Sequence, residues 1–431
     1  MMMWSNAHLE LRDDALTHED PSDALHPWTA LMNRRLCFVA LCALLAGGCS
    51  LVTSLDGYTF DDDGGEGGMD GGGPPDAGWD ASSRPDADGP DATPADDAGD
   101  RDACAEGGCS ECGGTGESCC AAASCDAPLV CAAQWQERTP SESPEARFSA
   151  AISYDADRGR AVVFGGFSGA DTFSDTWEWD GGRWVELTPG TAPPARSRHS
   201  MVYDSARREA VLFGGFDGTT YMPGTWSWDG ATWTERSSTT SPPPRTSTQL
   251  AYDSRRARVI VFGGWSGSDY LGDTWEWDGV DWTDVSPTGA APSPRANHGM
   301  TFDAAREVTV LFGGRDPGGR LNDVWEWNGT GWTEVTAPTA PEPRDTTLAY
   351  DVARARVVTF GGWSGSVALG DMWSWDGSRW TEMPGPGPAA RSSLSLAYDT
   401  NRESVLLFGG RDSGPLSDLW EHVPNAVCEA P

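Results

Sequence analysis

The chain contains no lysine; its 30 basic residues are all arginine, set against 65 Asp and Glu. That absence excludes Schiff-base chemistry and the lysine of a phosphate-binding loop. Histidine is scarce as well. Beyond residue 131 only His199, His298 and His422 occur, and their spacing converges on no zinc or copper ligand set. No Ser-His-Asp spelling and no paired catalytic carboxylates stand out. The arginines are spread evenly and the net charge is −35, which argues against a nucleic-acid partner.

What is present is a repeat. Phe-Gly-Gly begins at Phe164, Phe213, Phe262, Phe312, Phe360 and Phe408, in steps of 49, 49, 50, 48 and 48 residues. An aromatic-Asp pair keeps the same beat, at Tyr154, Tyr203, Tyr252, Phe302, Tyr350 and Tyr398. So does an arginine, at Arg147, Arg196, Arg245, Arg295, Arg344 and Arg391. Three markers in one fixed order define a repeat array. Within one unit, "RHSMVYD" alternates apolar and polar, "REAVLFGG" is a second apolar run, and "TWSWDG" puts Trp226 and Trp228 on one strand face. "DGATW" then turns into a fourth strand at Trp233. Asp-x-x-Arg recurs between the first two strands, from Asp155/Arg158 to Asp399/Arg402, and reads as a type I turn with an ion pair across it.

Four short strands every ~50 residues describe a propeller blade. The Gly-Gly closing the second strand and the Trp opening the fourth resemble the kelch repeat, over roughly residues 135–423. The resemblance implies an all-β, six-bladed kelch-type propeller whose first strands line the channel. Trp177-Glu178-Trp179 and its equivalents are more aromatic than the common kelch spelling, and read as packing between blades. The sixth repeat lacks a fourth-strand Trp after Trp420-Glu421-His422. Residues 134–149 parallel residues 183–198, with Trp135 matching Trp184, so an N-terminal strand is expected to complete the last blade and remove two open edges.

The blade arginines and the residues after each Gly-Gly (Phe167, Phe216, Trp265, Arg315, Trp363 and Arg411) are expected on one face. In kelch proteins that bind acidic peptides, arginines and aromatics at such positions form the pocket. The likeness implies a protein, anionic or carbohydrate ligand, with no cofactor. A second reading makes each arginine a tie to the next blade through a carboxylate and each aromatic a cap on its sheet. Galactose-oxidase-like copper enzymes share the fold, but only Tyr221 and Tyr270 lie outside the repeat's own tyrosine position in the propeller. A purely structural envelope protein is the third reading.

The N-terminal third is different. Residues 1–31 are acidic and patternless and read as a gene-model extension. Residues 32–49, "MNRRLCFVALCALLAGGC", carry two arginines, an apolar run and small residues, the order of a secretory signal. "LAGGC" resembles a bacterial lipobox, with Ala46 where Leu is usual. It implies lipidation of Cys49 and an outer-membrane or cell-surface location; a plain signal peptide implies a periplasmic or secreted one. Residues 50–103 hold fifteen Asp and Glu against two Arg and read as an extended acidic linker. Residues 104–131 hold seven cysteines and resemble the small disulfide modules of secreted bacterial proteins; zinc is the rival, through Cys109 and Cys112. The propeller is then residues 132–431. The repeat frame sets Cys131 and Cys428 near the same strand end, where a disulfide would join the two ends of the ring.

Overall fold

A computed structural model describes residues 130–429, with residues 130–133 and 424–429 described as backbone only. These residues form strands, turns and bends, with no helix. They build six four-stranded antiparallel sheets. Blade 1 shows the pattern: Ala151–Asp155, Arg160–Phe164, Thr176–Trp179 and Trp184–Leu187, paired in chain order. The first strands surround a central channel. One end of it is a pocket of about 320 Å³ ringed by Tyr154, Tyr203, Tyr252, Phe302, Tyr350 and Tyr398.

Each Asp-x-x-Arg segment is the hairpin between first and second strands. The Asp155 carboxylate accepts from the Arg158 backbone N–H at 3.0 Å and pairs with its guanidinium at 3.3 Å. The residue after the arginine is left-handed, from Gly159 to Glu403, as a type I turn with a bulge requires. The Asp-Gly hairpins between third and fourth strands are four-residue loops. Their carboxylate caps the N–H groups two and three residues on, as Asp229 does for Ala231 and Thr232.

The tryptophans fill the wedge between sheets, as expected. Trp228 and Trp233 face each other across their hairpin, with ring centres 5.4 Å apart. Trp233 also packs edge-on against Phe164 of the preceding blade at 5.1 Å. Its indole N–H donates to Thr176 of that blade at 2.9 Å. The same contact recurs as Trp282 on Phe213 and Trp332 on Phe262. Removing ~200 Å² of indole from water at ~25 cal/mol per Å² contributes up to about 5 kcal/mol per ring.

Phe-Gly-Gly is explained by the neighbouring blade. A Cβ on Gly165 would lie 2.5 Å from the carbonyl oxygen of Arg196, and one on Gly409 would lie 2.6 Å from that of Arg147. Both glycines are also left-handed. The next blade's arginine therefore docks its backbone where any side chain would stand.

The ring closes as the repeat frame implies. Val130–Arg138 is the outermost strand of blade 6, paired with Leu419–Glu429 and then with Ser404–Phe408 and Ser395–Asp399. Trp135 sits opposite His422 and packs against Phe360 of blade 5 at 5.3 Å, the role Trp233 plays on Phe164. The closing strand starts at Val130, two residues before the expected propeller boundary, so Cys131 lies within it.

Candidate functional site

The six repeat arginines are not on the surface. Arg147, Arg196, Arg245, Arg295, Arg344 and Arg391 are all buried, at 0–2% exposure. Each is held from two sides. Its backbone bonds to the preceding blade: for Arg295, the N–H donates to Leu271 and the carbonyl accepts from Gly264 at 2.9 and 2.8 Å. Its side chain bonds within its own blade: Nη1 of Arg295 donates to the Gly313 carbonyl at 3.1 Å, and both Nη groups grip Asp323 at 2.6 and 2.8 Å. Asp175, Asp273, Asp371 and Asp418 hold Arg147, Arg245, Arg344 and Arg391 in the same two-pronged way. The expectation of a ligand-facing ring of six arginines is therefore corrected. Five guanidiniums are spent on carboxylates of their own blade; the tie to the neighbouring blade runs through the arginine backbone, not through a carboxylate as the second reading has it.

The sequence carried a signal for this. An Asp two residues before the third-strand Trp recurs in five copies, and that Trp donates its indole N–H to the same carboxylate, as Trp275 does to Asp273 at 2.7 Å. Burial alone would raise the carboxyl groups of Asp273, Asp323 and Asp371. The guanidinium and indole bonds outweigh it, and all three lie below the usual aspartate range.

The second set forms a ring beside the repeat arginines. Phe167, Phe216, Trp265, Arg315, Trp363 and Arg411 are half-buried. Each is bridged to the residue that follows a blade arginine. Arg411 lies over Phe148 at 5.0 Å and Arg315 over Tyr270 at 5.8 Å. Inside this ring is the second end of the channel. Ser149, Arg198, Ser247, Asn297 and Ser393 hold left-handed backbones there, with φ of 52–57°. Main-chain bonds link them around the axis: Ser149 N–H to Ser393, Arg198 to Ser149, Ser247 to Arg198, Asn297 to Ser247 and Thr346 to Asn297, at 2.7–2.9 Å. Ser149, Ser247, Gln249, Asn297, Thr347 and Ser393 line a polar pocket of about 140 Å³ at this mouth. Gln249 spans toward blade 5, donating to Thr347 at 2.8 Å and accepting from the Met300 N–H at 2.6 Å.

His199 and His298 are buried three residues after their arginines. The His199 Nε2–H donates to the Phe164 carbonyl at 3.1 Å. Burial, and then the charge of Arg196 or Arg295, lowers each to about 3, so both are neutral. Thr248 holds the equivalent place in blade 3 and donates to Phe262, which marks the position as structural. Among the described residues no three His, Cys, Asp or Glu side chains are grouped to hold a metal ion.

The profile of the KLHDC2/KLHL20/DRC7 kelch-repeats domain matches this chain twice, over residues 129–278 and 276–425. The chain belongs to that kelch family. The first match runs from the closing strand through the third strand of blade 3, and the second from there into the third strand of blade 6, so the two halves of the ring each match once. No curated protein matches the chain. A kelch propeller of this kind is a protein-binding or structural module. The expected gene-model extension, signal, Cys49, acidic linker and remaining cysteine module lie outside the described residues. Cys131 and Cys428 are backbone partners in the closing strand pair.

Proposed function

We propose that this kelch propeller is exported, tethered to the cell envelope through a lipid on Cys49, and binds a protein or glycan on the face that carries the polar channel mouth. It catalyses no reaction and takes no cofactor or nucleic acid. The observation that carries the reading is the mouth itself. Five non-glycine residues hold left-handed backbones around a pocket lined with hydroxyl and amide groups, inside a ring of half-buried aromatics and arginines. Such conformations cost of order 1 kcal/mol each and cluster at binding sites. Rigid aromatic rings beside hydrogen-bonding groups suit stacking on sugars or packing on a peptide.

The test is retention of the full chain on glycan and peptide arrays. Trp265→Ser with Trp363→Ser is expected to abolish retention while the melting temperature holds. Retention that survives the double change would remove the face from the proposal. For the tether, Cys49→Ser is expected to shift the protein from the membrane fraction to the soluble one and to end palmitate labelling; unchanged partition would refute the anchor.

A further inference from the structure

One blade breaks the arginine pattern. Where the others place Asp175, Asp273, Asp323, Asp371 and Asp418, blade 2 has Gly224. Arg196 is nevertheless 1% exposed and oriented like its equivalents. Its Nε donates to the Pro194 carbonyl at 3.0 Å and its Nη1 to the Gly214 carbonyl at 2.9 Å. Among the described residues it has no ion-pair partner.

Trp226 supplies the other half. In the five regular blades the equivalent indole N–H donates to the aspartate that the arginine grips, at 2.6–2.8 Å. In blade 2 that carboxylate is missing from the chain. A Cβ on Gly224 would lie 3.9 Å from Trp226 Nε1 and 3.6 Å from Glu235 Oε1, with no other neighbour within 4 Å. The Gly224 backbone is left-handed, with φ of 95°, unlike the five aspartates, but nothing crowds the position, and the donors that grip a carboxylate in the other blades are in place.

We infer that blade 2 holds a carboxylate-binding site, built from Arg196 and Trp226, which takes the carboxyl group of a ligand where the other blades use their own aspartate. The five regular blades are its template: two guanidinium N–H groups and one indole N–H converge on one carboxylate, the charge-assisted two-pronged geometry that selects carboxylates. A buried guanidinium with no anion is costly, and a ligand carboxylate relieves that cost. Burial brings Arg196 down to about 10, partly offset by the charges of Glu235 and Asp217, and leaves it cationic at neutral pH. Glu235 is exposed at the site's edge and is the internal competitor. The ligand is a free small carboxylate or the carboxyl terminus of a peptide. The site stands independently of any ligand at the channel mouth.

Acetate is the aspartate side chain cut at Cβ, and is the probe. Melting of the full chain in sodium acetate is compared with sodium chloride at equal ionic strength. Acetate is expected to raise the melting temperature saturably. Pro223→Ser with Gly224→Asp supplies the Ser-Asp of blade 1, at the cost of a side chain on a left-handed backbone; it is expected to lose the acetate response. Trp226→Phe keeps the ring and removes the N–H, and is expected to weaken acetate about tenfold. Glu235→Gln is expected to strengthen acetate binding. A short peptide with a free carboxyl terminus, compared with its amidated form, then separates the two sources: preference for the free form assigns a chain terminus, and a response to acetate alone assigns a small carboxylate. Identical melting in acetate and chloride would overturn the inference. So would an acetate shift that persists in the filled variant, or a loss of stability in Glu235→Gln that shows Glu235 occupying the site.

Discussion

Acid should loosen this ring through two histidines before it touches the carboxylates. His199 and His298 are neutral in the fold, at about 3, against 6.5 for the free side chain. The folded value is depressed, so their contribution is fully present above pH 6.5 and is lost as pH falls toward 3, where the unfolded chain takes protons that the folded chain refuses. Each unit below 6.5 costs about 1.36 kcal/mol per histidine. At pH 5.0 that is about 2 kcal/mol each, about 4 kcal/mol for the pair. The control is already in the sequence: Thr248 fills the equivalent site in blade 3 and keeps the hydrogen bond to the Phe carbonyl, at 2.6 Å. His199→Thr with His298→Thr should therefore fold and lose this part of the pH dependence. Urea denaturation followed by tryptophan fluorescence at pH 7.5, 6.5, 5.5 and 5.0 measures it. The wild type should weaken steeply across this range and the double variant much less, retaining the smaller slope due to His422, which burial lowers to about 4. Equal slopes would refute the reasoning.

Asp273→Asn leaves the fully buried Arg245 without its anion and is expected to cost about 3 kcal/mol, read as a shift in the denaturation midpoint. Trp135→Ala removes the ring that seals blade 6 on Phe360 and is expected to cost about 3–5 kcal/mol, with protease cleavage near residue 138 as a second readout. In oxidised protein, Cys131 and Cys428 are expected to form a disulfide. Directly opposed antiparallel residues have Cα atoms ~4.5–5.5 Å apart, inside the range a disulfide spans. Non-reducing peptide mapping should link the two peptides, and reduction should lower stability by up to roughly 5 kcal/mol; free thiols at both positions would refute the bond.

The strand order and the seam were legible because they rest on period and alternation. Phe-Gly-Gly, Tyr-Asp and the paired tryptophans recur with a fixed spacing, and the missing sixth tryptophan pointed to Trp135. The role of the arginines was not legible from their recurrence alone. A ring of ligand contacts and a ring of blade ties repeat with the same period. What separates them is burial and the partner 27 or 28 residues on, a contact between the start of a blade and its third strand. The aspartate series carried that information, together with its gap at Gly224. The main-chain ring at the mouth had no signature at all, since Ser149, Arg198, Ser247 and Asn297 share a backbone conformation and no side-chain chemistry.

The composite sixth blade also sets an order of events in time. Val130–Arg138 is made first among the propeller strands, and its partner, Leu419–Glu429, is made last. At about 5–20 residues per second, a ribosome leaves the Trp135 strand without its mate for tens of seconds while the other five blades emerge. Through that interval the growing molecule is an open arc with an unpaired edge at its leading end and a tryptophan on that edge. Two such chains at high concentration can exchange these strands, each completing the other's last blade with the same bonds it would use for its own. Closed rings and exchanged pairs are then separated by crowding during synthesis and by no difference in their contacts.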